Sequence, residues 1–114
     1  MSAVVARRIA DAFATGKIDH VEALLAQNYV DHQGIGAGDL VGPAGFREVV
    51  SRARSHYHRL DVEVLSLIES GSFVAMALRW NGVPGDTAPA RRETLEVLRF
   101  VDEKAVEHWG WRTK

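Results

Sequence analysis

Apolar residues recur at helical spacing in the first half of the chain and at every second position in the second half, with the change near His58. Val5, Ile9, Ala12 and Phe13 share one face of a first helix; Ser2 can cap it, Arg7, Arg8 and Asp11 face out, and Gly16 ends it. Asp19 and Glu22 have the spacing of a capping box, which predicts a short second helix burying Val21, Leu24 and Leu25. Tyr29 to His32 leaves that pattern as a short strand. Gly34, Gly36, Gly38 and Gly42 then predict a mobile or tightly turned loop. Gly42-Pro43 opens a third helix with proline at a position where its missing N–H is harmless, and Phe46, Val49, Val50, Ala53 and Tyr57 form its inner face. Arg47, Arg52 and Arg54 lie mostly outside it.

The alternating half predicts four strands. Leu60 to Glu69 begins with Asp61 and Glu63 alternating with Val62 and Val64. Gly71-Ser72 is a tight turn, and Phe73 to Trp80, apolar on both parities until Arg79, is a central strand. Gly82 to Pro89 reads as a long hairpin loop. Arg91 to Val101 and Ala105 to Trp111 form the last hairpin, joined at Asp102-Glu103-Lys104. Helices followed by an antiparallel run make an α+β layout, with the three helices packed on one face of a curved sheet. Residues 1–114 form a single domain.

The last hairpin does not separate its classes cleanly. Thr94, Glu96, Leu98 and Phe100 share one parity, and Glu93, Leu95, Val97, Arg99 and Val101 the other. Either both faces are covered or one lines a cavity that holds a few polar groups. Glu107, His108, Trp109 and Trp111 fall within five residues of the return arm, a costly concentration for an ordinary surface strand.

Composition narrows the chemistry. The 114 residues carry a net charge of −1 with both signs interspersed, so no field suits a phosphate backbone and nucleic acid is not the expected partner. Cysteine is absent, which excludes disulfides, thiol catalysis and cysteine-ligated metals. No pair of histidines has the i, i+4 spacing of a helical metal site, and no metal is expected. No window approaches a membrane span, and the first residues lack a secretory pattern, so a soluble, cytoplasmic protein without a membrane partner is the expectation.

Asn28-Tyr29-Val30-Asp31-His32 before the glycine loop, Gly42-Pro43-Ala44-Gly45-Phe46 at the third helix, and Leu98 to Lys104 running into Glu107-His108-Trp109 together resemble the SnoaL-like polyketide cyclase family. That family belongs to the ketosteroid-isomerase-like superfamily, with the nuclear-transport-factor type of α+β barrel or cone. The resemblance covers nearly the whole chain. It implies three helices on the concave face of a mainly antiparallel sheet, and a deep pocket for a flat polycyclic or polyketide ligand. Cyclase members close a ring by intramolecular aldol condensation, which takes a base beside an acidic C–H and an acid at the attacked ketone, with no cofactor.

In those members an Asp on the last strand is the acid/base and a His on the preceding strand is nearby. Counted without gaps from Arg99-Phe100-Val101-Asp102, the Asp position falls on Gly110 and the His position on Glu96. Glu96 and His108 share the pocket parity and can replace the pair with roles exchanged, and His32 stands at the rim for proton transfer or substrate orientation. Tyr29, Phe46, Trp80, Thr94, Phe100 and Gly110 are the expected substrate-binding residues. Leu95, Val97, Trp109 and Trp111 fall on the outer face, an apolar surface suited to a homodimer. Arg91, Arg92 and Arg99 can pair with Glu93 and Glu107 across strands. The resulting expectation is a polyketide cyclase or isomerase acting by acid/base chemistry on a carbonyl compound. The alternatives are a non-catalytic binder of a small apolar ligand, favoured by Gly110, and an epoxide-opening hydrolase, for which no Asp-Arg-Asp arrangement is evident.

Overall fold

A computed structural model describes residues 2–32, 38–83 and 90–113. The elements run α1 (Ser2–Thr15), α2 (Asp19–Glu22), β1 (Leu25–Asp31), β2 (Leu40–Val41), α3 (Gly42–Ser55), β3 (Arg59–Ser70), β4 (Phe73–Val83), β5 (Ala90–Val101) and β6 (Lys104–Arg112). This is the expected α+β class. The strands form one open sheet in the order β2-β1-β6-β5-β4-β3, with β1 and β6 parallel and the other pairings antiparallel. The sheet is thus mixed and does not close into a barrel. Of the glycine run, Gly34 and Gly36 lie outside the described residues, as does the hairpin segment 84–89; Gly82 and Val83 belong to β4.

The pattern places the core correctly. Val5, Ile9, Ala12 and Phe13 of α1 and Phe46, Val49 and Val50 of α3 join one buried cluster with Val74, Met76, Leu78 and Trp80 of β4 and Leu98 and Phe100 of β5. Alternate positions of β4 and β5 supply those residues. Gly16 ends α1 with φ 75°, and its N–H bonds the Ala12 carbonyl. The Arg54 guanidinium of α3 donates to the Phe13 carbonyl at 2.8 Å and also to that of Ala14, tying the two helices together. Tyr57 falls beyond the end of α3 and is half-buried.

The second helix departs from expectation. It is a single turn whose N-cap is Ile18, with no side-chain cap, and Leu25 opens β1 instead of continuing a helix. Asp19 points outward to Arg47, which also pairs with Glu22. Asp is a sound capping residue, but four residues cannot sustain a helix by local bonds, and pairing with β6 captures the chain from Leu25 onward.

At the β5–β6 turn both Asp102 and Glu103 have positive φ, the twist a two-residue hairpin needs. The register that follows sets Glu96 opposite Gly110 and Leu98 opposite His108, while the parallel pairing sets Asp31 beside His108.

Candidate functional site

Three strands bring three ionisable side chains to one buried point. Asp31 ends β1, His108 lies next to it on β6, and Glu96 is diagonal to His108 on β5. The His108 ring nitrogens are 2.8 Å from Asp31 Oδ2 and 2.5 Å from Glu96 Oε1. Tyr29, two residues before Asp31 on the same face, donates its hydroxyl to Asp31 Oδ2 at 2.9 Å. Asp31, His108 and Glu96 are 0%, 3% and 4% exposed, so water does not screen their interaction.

Burial alone would pull the His108 imidazole below its ordinary value. Hydrogen bonds to Asp31 and Glu96, together with their charges, overcome that and push it up to about 10. The ring is therefore an imidazolium at neutral pH and donates to both carboxylates. Burial, then the Asp31 charge and hydrogen bond, hold the Tyr29 phenol well above its ordinary value, so it remains a neutral donor.

One atom in the group is unsatisfied. Glu96 Oε2 is buried without a hydrogen-bond partner. Glu96 and His108 border a small void of about 10 Å³, shared with Ile9, Ala10, Phe13, Met76, Leu78, Trp80 and Leu98. A buried carboxylate oxygen without a donor is costly, and a ligand proton reaching the void would relieve that cost.

Toward one end of the sheet a second cavity of about 160 Å³ shares Phe13 and Trp80 with the void and adds Val49, Ala53, His56, Arg92, Thr94, Gly110, Trp111 and Arg112. Trp80 donates its indole N–H to Thr94 Oγ1 at 2.9 Å and lines both spaces. Both spaces are well below the ~300 Å³ at which drug-sized pockets begin, so neither of them, as lined by the described residues, is the deep space expected for a polycyclic ligand.

The structure thus brings Glu96 and His108 together, and sets Trp80, Thr94 and Gly110 around the cavity. Tyr29 and Phe46 are fully buried in the edge-to-face series Tyr29–Phe46–Phe13–Trp80 and line neither space. Phe100 is buried near the β5–β6 turn, away from both. His32 does not join the group. It follows Asp31 and takes the other face of the sheet, where its nitrogens lie 2.8 Å from Glu107 and 3.1 Å from Asp39 and its ring stacks on Trp109 at 5.3 Å. The hydrogen bond it donates to Glu107 is the main reason its imidazole is raised.

Sequence reasoning missed Asp31 as a member of the site, although it stood in the motif Asn28 to His32; the available signal was its parity with Tyr29. It also read Arg92 only as a cross-strand ion-pair partner. The expected Arg99–Glu107 pair forms at 2.7 Å, Glu93 pairs instead with Arg79, and Arg92 lies against the rings of Tyr57 and Trp80. Among the described residues no cluster of three or more His, Asp or Glu is arranged to hold a metal. His108 has no ring lone pair to offer while it donates to both carboxylates.

The family model described as SnoaL-like domain matches residues 6–108. The chain belongs to the SnoaL-like domain family. Solved structures agree on the fold. A loop-truncation variant of IdmH superimposes with a TM-score of 0.86 at 19% identity, covering 99% of this chain and 93% of that one. Wild-type IdmH, a candidate polyketide cyclase from Streptomyces antibioticus, gives 0.84 at 21% identity over 99% and 92%. AclR, a candidate hydroxylase from Streptomyces galilaeus, gives 0.78 at 18% identity over 98% and 88%. A search of curated proteins finds no match. Cyclase and hydroxylase names therefore occur on the same fold, and the chemistry of this chain must be argued from its own residues.

Proposed function

We propose that this SnoaL-like protein is an acid/base enzyme of the cyclase or isomerase type, acting on an enolisable carbonyl compound. The observation that carries the proposal is the buried, partnerless Oε2 of Glu96, a residue that lines a void together with His108. In this reading the helices close over the concave side of the sheet and a substrate enters past Trp80, Thr94 and Gly110. Glu96 Oε2 takes the proton from the carbon next to the carbonyl. The His108 imidazolium holds Oε1 fixed, so only one carboxylate oxygen is available, and Asp31 with Tyr29 holds the imidazolium in turn. The chemistry needs a proton acceptor and a returning proton, and the carboxyl group formed on Glu96 supplies the second.

The proposal places the base on β5, with Gly110 of β6 opposite it where the family's usual aspartate would stand. The missing side chain at that position also supports a second reading, a non-catalytic binder of a small apolar ligand. Solvent isotope exchange separates the two. In D2O, proton NMR of 2-tetralone as a probe ketone should show enzyme-accelerated loss of the signal next to the carbonyl, and Glu96→Gln should lower that rate by about 100-fold or more. Exchange no faster than buffer for the wild type, or unaffected by Glu96→Gln, rejects the enzyme.

A homodimer through the outer sheet face belongs to the same reading. Leu95 and Trp111 are exposed there, with Val97 and Trp109 half-buried and Phe73 beside Trp109. No described helix is long and apolar enough to cross a membrane.

A further inference from the structure

The two ends of the space beside Trp80 differ in charge. At the inner end the charged groups are two carboxylates and one imidazolium, a balance of minus one. The 160 Å³ cavity has Arg92, Arg112 and His56 in its wall and no Asp or Glu among its lining residues. Arg92 is the better placed of the two arginines. Its register partner across the β4–β5 ladder is Trp80, and its guanidinium lies 5.4 Å from the Trp80 ring centre and 5.8 Å from that of Tyr57.

A side chain at Gly82 would overlap the Tyr57 ring, so the absence of one there is what lets Tyr57 reach this position. Two aromatic faces hold the guanidinium by its π surface and do not use its in-plane N–H donors. Its Nε is buried and has no hydrogen-bond partner. A neighbouring carboxylate could have satisfied it, but Glu93 points to the opposite face and pairs with Arg79.

We propose that this cavity selects ligands carrying a carboxylate, with Arg92 binding the carboxylate and the neutral end of the ligand directed along Trp80 toward Glu96. Only that direction rests on the functional reading above; the carboxylate preference does not. A planar, prearranged guanidinium matches a carboxylate with two parallel hydrogen bonds, and an anion here would complete its unmet donor. The inner end repels the same anion, so the polarity of the space fixes the ligand's orientation. Arg92 and Glu96 are four residues apart on one strand face, roughly 13 Å of strand, a span that a ring or a short chain matches in length.

The test is a binding titration with an isosteric pair, phenylacetate and phenylacetamide, followed by amide chemical shifts. The wild type should bind phenylacetate at least about tenfold more tightly than the amide. Arg92→Met should bring the two within about twofold, Arg92→Lys should keep an intermediate preference, and Arg112→Gln should keep it whole. Equal binding of the pair by the wild type, no binding of either at 20 mM (about the weakest measurable), or loss of the preference in Arg112→Gln alone overturns the proposal. Glu96→Gln should retain the preference. If it does while isotope exchange is absent, the catalytic reading fails and the ligand class stands; if exchange depends on Glu96 but the pair binds equally, the ligand class fails alone.

Discussion

The two faces of the β5–β6 region carry the same chemical arrangement with different surroundings. On the inner face His108 lies between Asp31 and Glu96, and on the outer face His32 lies between Asp39 and Glu107. The residues are neighbours in sequence, Asp31 with His32 and Glu107 with His108, and alternation sends each pair to opposite faces. The inner group is buried. The outer His32 side chain is 28% exposed and Asp39 is 56% exposed, so solvent screens what burial would amplify. A histidine between two carboxylates is thus not itself a functional signal. Burial, an unsatisfied oxygen and an adjoining void distinguish the inner one.

Removing the central histidine should separate the faces most strongly. His108→Leu leaves two buried carboxylates uncompensated and should cost about 3–5 kcal/mol in urea unfolding. His32→Leu should cost no more than about 1 kcal/mol. Comparable losses would mean that burial is not the deciding difference. Next in size is Gly110→Asp, which places a second carboxylate opposite Glu96; like charges facing each other across the strands should destabilise the fold by about 3 kcal/mol, again by urea unfolding.

The pH dependence comes next. A histidine raised on folding contributes stability that is complete below its unfolded value of 6.5 and lost as pH rises through its folded value. For His108 that window runs from 6.5 to about 10, so wild-type stability should fall across it while His108→Leu loses this dependence. On the outer face His32 is also raised, and Glu107 is lowered chiefly by its hydrogen bond from His32. The Glu107 contribution has the opposite sense, present above 4.5 and lost as pH falls, and both outer effects should be small. Smallest of all is Tyr29→Phe, which removes one hydrogen bond to Asp31 and should cost about 1 kcal/mol.

Much of this comparison was legible in the alternation. The parity of Thr94, Glu96, Leu98 and Phe100 assigns the inner face of β5, and it puts Glu96 and His108 on the same side. Asp31 was not recovered as a site residue because its contact with His108 arises from the parallel β1–β6 pairing, which joins residues 77 positions apart and leaves no local trace. His32 was misplaced for a related reason, since a rim position beside a glycine loop does not say which sheet face a side chain takes. The Arg92 position depends on Tyr57, just past the end of α3, reaching over Gly82 of β4, and helical periodicity carries no information on that approach.

The most direct measurement of the central contrast is a nitrogen-15 NMR titration of the histidine rings, with His32 and His108 assigned by substitution. His108 should remain doubly protonated at pH 8.5 and lose its proton only near pH 10, keeping Glu96 Oε1 occupied and Oε2 open. A His108 ring that is neutral at pH 7, or that titrates together with His32, would contradict the account.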